Sequence, residues 1–241
     1  MVTPIGGGWW GKIPEPPLTP NAWLRWDVVR RLLDDLEGVE RVLEIGAGEG
    51  ALGARLARRY DYVGVEPDPV SRKKASERVG RVLEALPDET FDLVCAFEVL
   101  EHVEDDRAEL RGWRDLLGPG GWLLLSVPAH EQRFGAADRR VGHFRRYNPD
   151  RLAELLSETG FESSRLMTYG FPLGYALEAG RHLLARRGEG EGTAGSGRWL
   201  QPSDRLGWAT RLGTAPFRLV QRPFAWTRLG TGLVALARRT S

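Results

Sequence analysis

The sequence predicts an α/β fold in which one doubly wound, mostly parallel sheet is covered by helices on both faces. Two observations indicate this fold. Short apolar segments alternate along the chain with segments of helical spacing, which is the pattern of consecutive βαβ units. A glycine-rich turn at residues 44–50 follows the first strand, and such turns place a ligand at the carboxyl edge of a parallel sheet.

Seven strands and five core helices are predicted in order. Strands are predicted for short apolar runs at 41–45, 62–65, 81–86, 91–97, 122–127, 161–169 and 229–238. The run at 81–86 is the weakest of them. Helices are predicted where apolar residues recur every three or four positions, at 21–37, 51–60, 69–79, 105–117 and 149–159. A Gly-Pro-Gly-Gly turn at 118–121 separates the fourth of these helices from the fifth strand.

Two parts of the chain are predicted to lie outside the sheet and its helices. Residues 1–20 contain five Pro and three consecutive Gly, and predict an irregular arm before a core at 21–170. Residues 171–228 are predicted to be a helical insertion before the last strand, which lies within 229–241. The Gly-, Glu-, Ser- and Thr-rich stretch at 188–197 is predicted to be a flexible link inside the insertion.

Composition narrows the class of protein. The net charge of +1 gives no overall field of the kind that binds nucleic acid, so no nucleic-acid partner is expected. The basic residues are concentrated in the last quarter of the sequence, where residues 181–241 contain eleven Arg and three acidic residues. A single Cys95 excludes an intramolecular disulfide and fits a reducing compartment. No cationic and apolar leader and no apolar run of about 20 residues is present, so we expect a cytoplasmic protein without a transmembrane segment.

The glycine-rich turn predicts a nucleoside-containing ligand. Gly46 and Gly48 let the backbone turn sharply and approach a ligand without a Cβ clash. Glu66, at the end of the second strand, is placed to accept hydrogen bonds from both ribose hydroxyls. The glycine spacing also fits the loose dinucleotide fingerprint, so NAD is an alternative ligand. Glu44 argues against NAD, because a carboxylate at this point repels a pyrophosphate and suits an ammonium group.

Five ordered motifs extend this prediction to a family: 42–50 (VLEIGAGEG), 63–67 (VGVEP), 91–94 (FDLV), 99–103 (VLEHV) and 116–122 (LLGPGGW). Together they resemble the class I S-adenosylmethionine-dependent methyltransferases, and in particular the branch that includes the ubiquinone-pathway O-methyltransferases. The resemblance covers about residues 25–170. It implies a Rossmann-like sheet with the strand order 3-2-1-4-5-7-6, whose last-numbered strands form an antiparallel hairpin at one edge.

The resemblance also implies the cofactor, S-adenosylmethionine, and the residues that hold it. Ala96 and Phe97 are expected near its methionine end. The other expected cofactor-binding residues are Glu44, Gly46, Ala47, Gly48, Gly50, Glu66, Pro67, Leu83 and Glu84. Similar proteins usually carry an Asp-Ala pair where this chain has Val82 and Leu83. The adenine is therefore expected to rely on backbone groups and apolar packing.

A second signature follows the fifth strand and ends in the loop Gly-His-Phe-Arg-Arg-Tyr at 142–147. It resembles a subgroup of these methyltransferases associated with glycan and lipid biosynthesis, a resemblance that does not identify the acceptor. The acceptor is expected to be a small molecule, a sugar or a lipid-like compound. Arg145, Arg146 and Tyr147 are candidate acceptor-binding residues. The two Arg could clamp a phosphate or carboxylate of the acceptor, or pair with nearby acids of the protein.

Methyl transfer is an in-line displacement, so the enzyme needs alignment above all and a base when the acceptor is a hydroxyl. His143, His102 and His130 are the candidate catalytic residues, since all three are predicted on loops at the carboxyl edge of the sheet. For His143 the alternative is ordering of the loop, and for His102 it is structural capping. No metal site is predicted, because the spacing of these His resembles no standard ligand set.

The predicted reaction is therefore methyl transfer from S-adenosylmethionine to the acceptor, at an oxygen. The alternatives are a noncatalytic S-adenosylmethionine-binding or scaffold protein and an NAD-dependent oxidoreductase. The insertion could form a lid over the acceptor, contact an anionic membrane surface peripherally, or simply pack on the arm. Seven of the nine Trp lie in the arm, the first helix and the insertion: Trp9, Trp10, Trp23, Trp26, Trp199, Trp208 and Trp226.

Overall fold

The computed structural model describes residues 15–186 and 207–240. Its strands are β1 (Arg41–Ile45), β2 (Asp61–Val65), β3 (Val82–Leu83), β4 (Phe91–Phe97), β5 (Leu117–Pro128), β6 (Phe161–Tyr169) and β7 (Gly232–Arg239). Its α-helices are α1 (Pro20–Asp34), α2 (Gly53–Leu56), α3 (Pro69–Val79), α4 (Asp106–Asp115), α5 (Ala136–Val141), α6 (Pro149–Glu158), α7 (Leu173–Arg186) and α8 (Gly207–Val220). Trp9, Trp10, Trp199 and the predicted link at 188–197 lie outside the described residues.

The seven strands form one sheet in the order β3-β2-β1-β4-β5-β7-β6. Strands β1 to β5 pair in parallel, and β7 runs antiparallel between β5 and β6. This confirms the predicted fold class and the predicted strand order. The five parallel strands bring their carboxyl ends to one edge, where the predicted glycine turn lies.

The helix starts follow from local sequence signals. The side chain of Thr19 accepts a hydrogen bond from the backbone of Ala22 before α1, at 3.2 Å. Asp68 does the same for Ser71 before α3, at 2.8 Å. A proline occupies the first turn of both helices, where its missing N–H costs nothing.

The structure differs from the predicted elements in five places. The helix predicted at 51–60 is regular only over α2, and the strand predicted at 81–86 pairs only over β3. The turn predicted at 118–121 is a bulge inside β5, because Phe91 pairs with Leu117 and Leu93 pairs with Trp122. The last strand begins at Gly232 rather than at 229, and α5 was not predicted.

Apolar side chains cover the sheet on both faces. Along β1, Val42 packs into one core cluster and Leu43 into the other, because successive strand side chains point to opposite faces. Trp113 of α4 is fully buried in the first cluster, and Leu24 of α1 is fully buried in the second. Both faces are therefore closed, and access is left at the strand ends.

The inner side of the insertion packs against the second core cluster. Phe217 of α8 packs against this cluster. The buried Gln221 donates from Nε2 to the backbone oxygen of Leu24 at 2.9 Å and accepts at Oε1 from the N–H of Gly170 at 3.0 Å. Helix α8 is thus fixed to α1. No helix within the described ranges has the length and apolar character needed to cross a bilayer.

Candidate active site at the carboxyl edge of the sheet

A glycine-rich cradle joins β1 to α2. Gly46 has a φ of +73°, and its N–H and that of Ala47 both donate to the backbone oxygen of Val65 at 2.9 Å. A Cβ at Gly46 would stand 2.6 Å from a methyl group of Val99, so a larger residue is excluded there. Gly48 has a φ of +56° and faces open space. The cradle therefore offers a free backbone surface at the end of β1.

Glu66, which follows β2, closes this cradle. Its carboxylate accepts hydrogen bonds from the N–H of Gly48 at 2.8 Å and from the N–H of Asp68 at 2.9 Å. Each carboxylate oxygen has a second lone pair, so Glu66 can still accept bonds from a ligand. Pro67 beside it is exposed, as is Glu84 beyond β3, while Leu83 is half-buried.

Glu44 lies below the cradle as a buried carboxylate. It is 2% exposed and accepts a hydrogen bond of 2.5 Å from the hydroxyl of Tyr62. Only glycine fits at position 53, because a Cβ there would stand 2.4 Å from this hydroxyl oxygen. Burial raises the pKa of Glu44 to about 7, although the bond from Tyr62 and the charge of Arg25 act in the opposite direction.

This pKa makes the stability of the ligand-free protein depend on pH. A carboxyl whose pKa is higher in the folded than in the unfolded chain stabilises the fold below its unfolded pKa and loses that contribution as the pH rises through about 7. We expect Glu44→Gln to remove most of this dependence. When the pH is raised from 4.5 to 8, the unfolding free energy of wild type should therefore fall relative to that of the variant, by about 2–3 kcal/mol.

Denaturant unfolding without ligand at several pH values measures this gain. Glu162→Gln, at an exposed position of β6, is the matched control and should show no comparable gain. If the unfolding free energy of the Glu44 variant depends on pH as that of wild type does, the raised pKa of Glu44 is contradicted.

A second group of polar side chains follows β4. Glu98 has a φ of +58° and accepts hydrogen bonds of 3.0 Å from the hydroxyls of Ser126 and Tyr169. Arg25 of α1 lies 3.3 Å from the same carboxylate. Burial alone would raise the pKa of Glu98, but the charge of Arg25 and these hydrogen bonds lower it. Ala96 and Phe97, which precede Glu98, are buried.

Glu101, His102 and His143 form a compact cluster beside Glu98. Glu101 is fully buried, and neither of its carboxylate oxygens has a hydrogen-bond partner among the described residues. Burial, and then the charge of Glu98, raise its pKa well above the ordinary value. The rings of His102 and His143 meet edge to face with centroids 4.6 Å apart.

The cluster has the donor set of a cation site. One donor atom from each of its three side chains lies within 4.8 Å of the others. A carboxylate and two imidazoles can hold a divalent cation. The sequence predicts no metal site at the three His residues, whereas the structure brings His102 and His143 together with Glu101. His130 lies elsewhere.

His143 is held by a buried ion network. Its Nδ1 lies 3.1 Å from Asp138, whose carboxylate also accepts two hydrogen bonds from Arg146 at 2.8 and 2.9 Å. Burial alone would raise the pKa of Asp138, but the bonds from His143 and Arg146 lower it. Arg146 also binds Glu178 of α7, which ties this loop to the insertion. Donation from Nδ1 to Asp138 leaves Nε2 of His143 as a proton acceptor.

The other predicted loop residues have structural partners. His130 places Nε2 2.8 Å from the backbone oxygen of Gly230. Tyr147 is buried and donates to Asp106 at 3.2 Å. Arg145 pairs with Asp106 at 2.8 Å. Of the two alternatives for the Arg pair, pairing with acids is the one these contacts describe, and an acceptor-binding role for Arg145, Arg146 or Tyr147 stays a prediction.

A cavity of about 570 Å³ lies on the outer side of this loop, where Arg145 and Phe144 form part of its wall. Its other Arg side chains are also paired, Arg107 with Glu158 and Arg151 with Glu154. The cavity therefore offers no unpaired guanidinium of its own for an anionic acceptor. The glycine cradle and His143 do not line it.

Comparison with known families decides the assignment. A model of the methyltransferase domain matches residues 20–165, which include the glycine cradle, Glu66 and the cluster around His143. The chain belongs to this methyltransferase family. The match confirms the predicted membership of the class I S-adenosylmethionine-dependent methyltransferases, whereas the subgroup with the loop at 142–147 stays a prediction.

Relatives of this methyltransferase agree with the family. The ubiquinone biosynthesis O-methyltransferase of Azorhizobium caulinodans is 37% identical over 148 residues, which cover 51% of this chain and 58% of the relative. The chain thus spans little more than half of that protein.

Solved structures show the same fold. A methyltransferase of Thermotoga maritima, described as a possible histamine N-methyltransferase, superimposes with a TM-score of 0.60 at 18% identity over 92% of both chains. The [4+2]-cyclase SpnF does so with a TM-score of 0.54 at 21% identity, over 89% of this chain and 81% of that one. Since one of these neighbours is named for another reaction, the fold alone does not decide the chemistry of this methyltransferase.

Sequence reasoning assigned no role to several residues of this methyltransferase site. Arg25 gave no signal, because a single Arg on an amphipathic helix is ordinary. Glu98 could have been found from its position directly after β4, at the edge that binds ligands. Asp138 lies between the fifth strand and the loop at 142–147, but only the structure shows that it contacts His143.

Proposed function

We propose that the protein transfers a methyl group from S-adenosylmethionine to an oxygen of a small-molecule, sugar or lipid-like acceptor. The observation that carries this proposal is the position of the His143–Asp138 pair beside the carboxylates that follow β4. A base held in this way is required for a hydroxyl acceptor. The name of the Azorhizobium relative, an O-methyltransferase, supports oxygen as the methylated atom.

The charge of the site fits the cofactor. Four carboxylates lie at the ends of β1, β2 and β4: Glu44, Glu66, Glu98 and Glu101. S-adenosylmethionine carries a sulfonium and an ammonium. Glu98, whose pKa is lowered, favours such a ligand through its negative charge, and the positive charge of the ligand would in turn favour the ionised forms of Glu44 and Glu101. NAD fits less well, because its pyrophosphate would meet the buried Glu44 at the start of α2.

The chain's own residues would hold the cofactor in three places. Glu66 accepts hydrogen bonds from the ribose hydroxyls, and Glu44 lies toward the ammonium. Ala96 and Phe97 line the methionine end. The remaining contacts come from the cradle and the adenosine end: Gly46, Ala47, Gly48, Gly50, Pro67, Leu83 and Glu84. When bound, S-adenosylmethionine supplies a methyl group activated by the positive charge on its sulfur.

On the acceptor side, His143 removes the proton of the acceptor hydroxyl through Nε2. Asp138 fixes the orientation of the ring, and Arg146 neutralises the charge of Asp138. General-base assistance of this kind contributes about 10²–10⁴-fold to a rate.

Release of S-adenosylhomocysteine in the presence of phenol, sugar and lipid acceptors tests the proposal. We expect release with at least one class of hydroxyl acceptor and, if Nε2 of His143 is the base, no loss of rate after treatment with EDTA. Loss of the rate on chelation, with recovery on adding Zn²⁺ or Mn²⁺, would assign the cluster to a cation and contradict the base. Binding of S-adenosylhomocysteine without turnover of any acceptor would favour the noncatalytic alternative.

A further inference from the structure

Helix α8 exposes an apolar stripe that the protein core does not use. Trp208, Leu212 and Leu219 are 66%, 62% and 60% exposed. At about 3.6 residues per turn, these three positions fall within about 40° of one another around the helix axis. Three large apolar side chains on one face of a helix form a continuous surface, which usually marks a binding face.

The opposite side of α8 holds the helix in place. Phe217 packs into the second core cluster, and Thr214 is buried. The hydroxyl of Thr210 donates to the backbone oxygen of Leu18 at 3.1 Å. The helix is therefore anchored on its inner side, and the stripe faces outward on a fixed support.

A basic rim borders the stripe. Arg211 and Arg218 follow it along one side of the helix, with their guanidinium groups 5.8 and 5.0 Å from the Trp23 ring centroid. Burial lowers the pKa of Arg218, the charge of Asp27 acts in the opposite direction, and repulsion from Arg211, Arg222 and Arg30 lowers the pKa further.

Acidic side chains do not neutralise the positive charge of this rim. Among the described residues, no ion pair joins Arg211 or Arg218 to an acid. The nearby Asp27 is buried and pairs with Arg222 at 3.0 Å, and Asp34 pairs with Arg30 at 3.3 Å. Residues 207–240 contain six Arg and no Asp or Glu. The surface beside the stripe is therefore positive.

We propose that α8 docks on an anionic phospholipid bilayer. Trp208, Leu212 and Leu219 enter the interfacial region, and Arg211 and Arg218 lie against the lipid phosphates. The helix of 14 residues is about 21 Å long, so it lies in the plane of the interface rather than across the bilayer. The charge of the rim selects an anionic lipid surface as the occupant of the stripe.

The docking face is connected to the active site through α1. Gln221, directly after α8, is bonded to Leu24 of α1, and Arg25 of α1 contacts Glu98 in the site. The docking surface itself rests on α8 and its rim, so it stands independently of the methyl transfer proposed above.

Co-sedimentation with vesicles tests the proposal. We expect the protein to bind vesicles of equal parts phosphatidylglycerol and phosphatidylcholine, and to bind pure phosphatidylcholine at least about tenfold more weakly. Binding should weaken in high salt, because the rim acts through charge. The combined variant Trp208→Ser, Leu212→Ser and Leu219→Ser should lose at least about tenfold in binding, and Arg211→Gln should lose severalfold.

Matched controls are available elsewhere on the surface. Val70→Ser changes a side chain that is 58% exposed on α3, and Arg111→Gln changes an exposed cation of α4; neither should alter vesicle binding. Thermal unfolding verifies that all variants are folded, and Arg211→Gln tests the surface if the combined variant is not. Failure of the wild type to bind anionic vesicles would overturn the proposal. So would a dimer in lipid-free solution that the stripe variant abolishes, since the stripe would then bind a second copy.

Discussion

Replacing His143 by Ala is expected to lower kcat by about 10²–10⁴-fold while affinity for S-adenosylmethionine stays nearly unchanged. The reason is geometric: Nδ1 of His143 is bound to Asp138, and Nε2 is left to accept the proton of the acceptor. The side chain is mostly buried, and its polar neighbours are Asp138 and Glu101 rather than Glu66 of the ribose side. Steady-state kinetics with an accepted hydroxyl substrate, and calorimetry with S-adenosylhomocysteine, measure the two effects.

Asp138→Asn separates positioning from proton transfer. Asn keeps the shape of Asp138 but removes its charge, so we expect a smaller fall in kcat than for His143→Ala, with little change in the KM for the acceptor.

His102→Ala tests whether Glu101, His102 and His143 hold a cation or whether His143 acts alone as a base. If loss of His102 and loss of His143 reduce kcat equally, and EDTA has the same effect, the cluster holds a cation and His143 is not the base. An unchanged kcat in His143→Ala would make it a loop-ordering residue.

Replacing Glu66 by Ala is expected to weaken S-adenosylmethionine binding by about 1.5–3 kcal/mol, or roughly 10- to 150-fold. The carboxylate contributes in two ways, since it receives the ribose hydroxyls and also holds the N–H groups of Gly48 and Asp68. Calorimetry with S-adenosylhomocysteine measures the loss. Glu77→Ala, an exposed position on α3, serves as control and should bind as wild type does.

The glycine cradle could distort in Glu66→Ala, so Glu66→Gln is the companion variant. Gln retains one oxygen acceptor for the backbone but loses the charge, and an intermediate loss of affinity is expected. Wild-type binding of NAD without binding of S-adenosylhomocysteine would contradict the cofactor assignment altogether.

Much of the fold could be predicted because strand and helix periodicity decide its core. The bounds of β1, β4, β6 and α3 agree with the predicted ranges. Sequence patterns failed where pairing geometry decides the structure. The bulge at 118–121 depends on the register of β5 against β4, and β3 is short because only Val82 and Leu83 pair with β2.

The cofactor side of the site was easier to predict than the acceptor side. Glu44, Gly46, Gly48 and Glu66 lie at the ends of strands that a sequence pattern identifies. The acceptor side is built from long-range contacts, such as that of Arg25 with Glu98, which no local pattern encodes. Local sequence patterns therefore offered no reason to prefer one of His102, His130 and His143 as the base, although their partners in the structure differ.

The position of β7 has a consequence for how the protein folds. Trp122 of β5 pairs with Arg238, roughly a hundred residues later, and β6 reaches the sheet through β7. Closing such long loops is slow compared with forming the consecutive βαβ units. Until β7 is inserted, one edge of β5 presents unpaired N–H and C=O groups and can pair with another chain. We therefore expect refolding yields to fall as protein concentration rises, with the intermolecular contacts starting at β5.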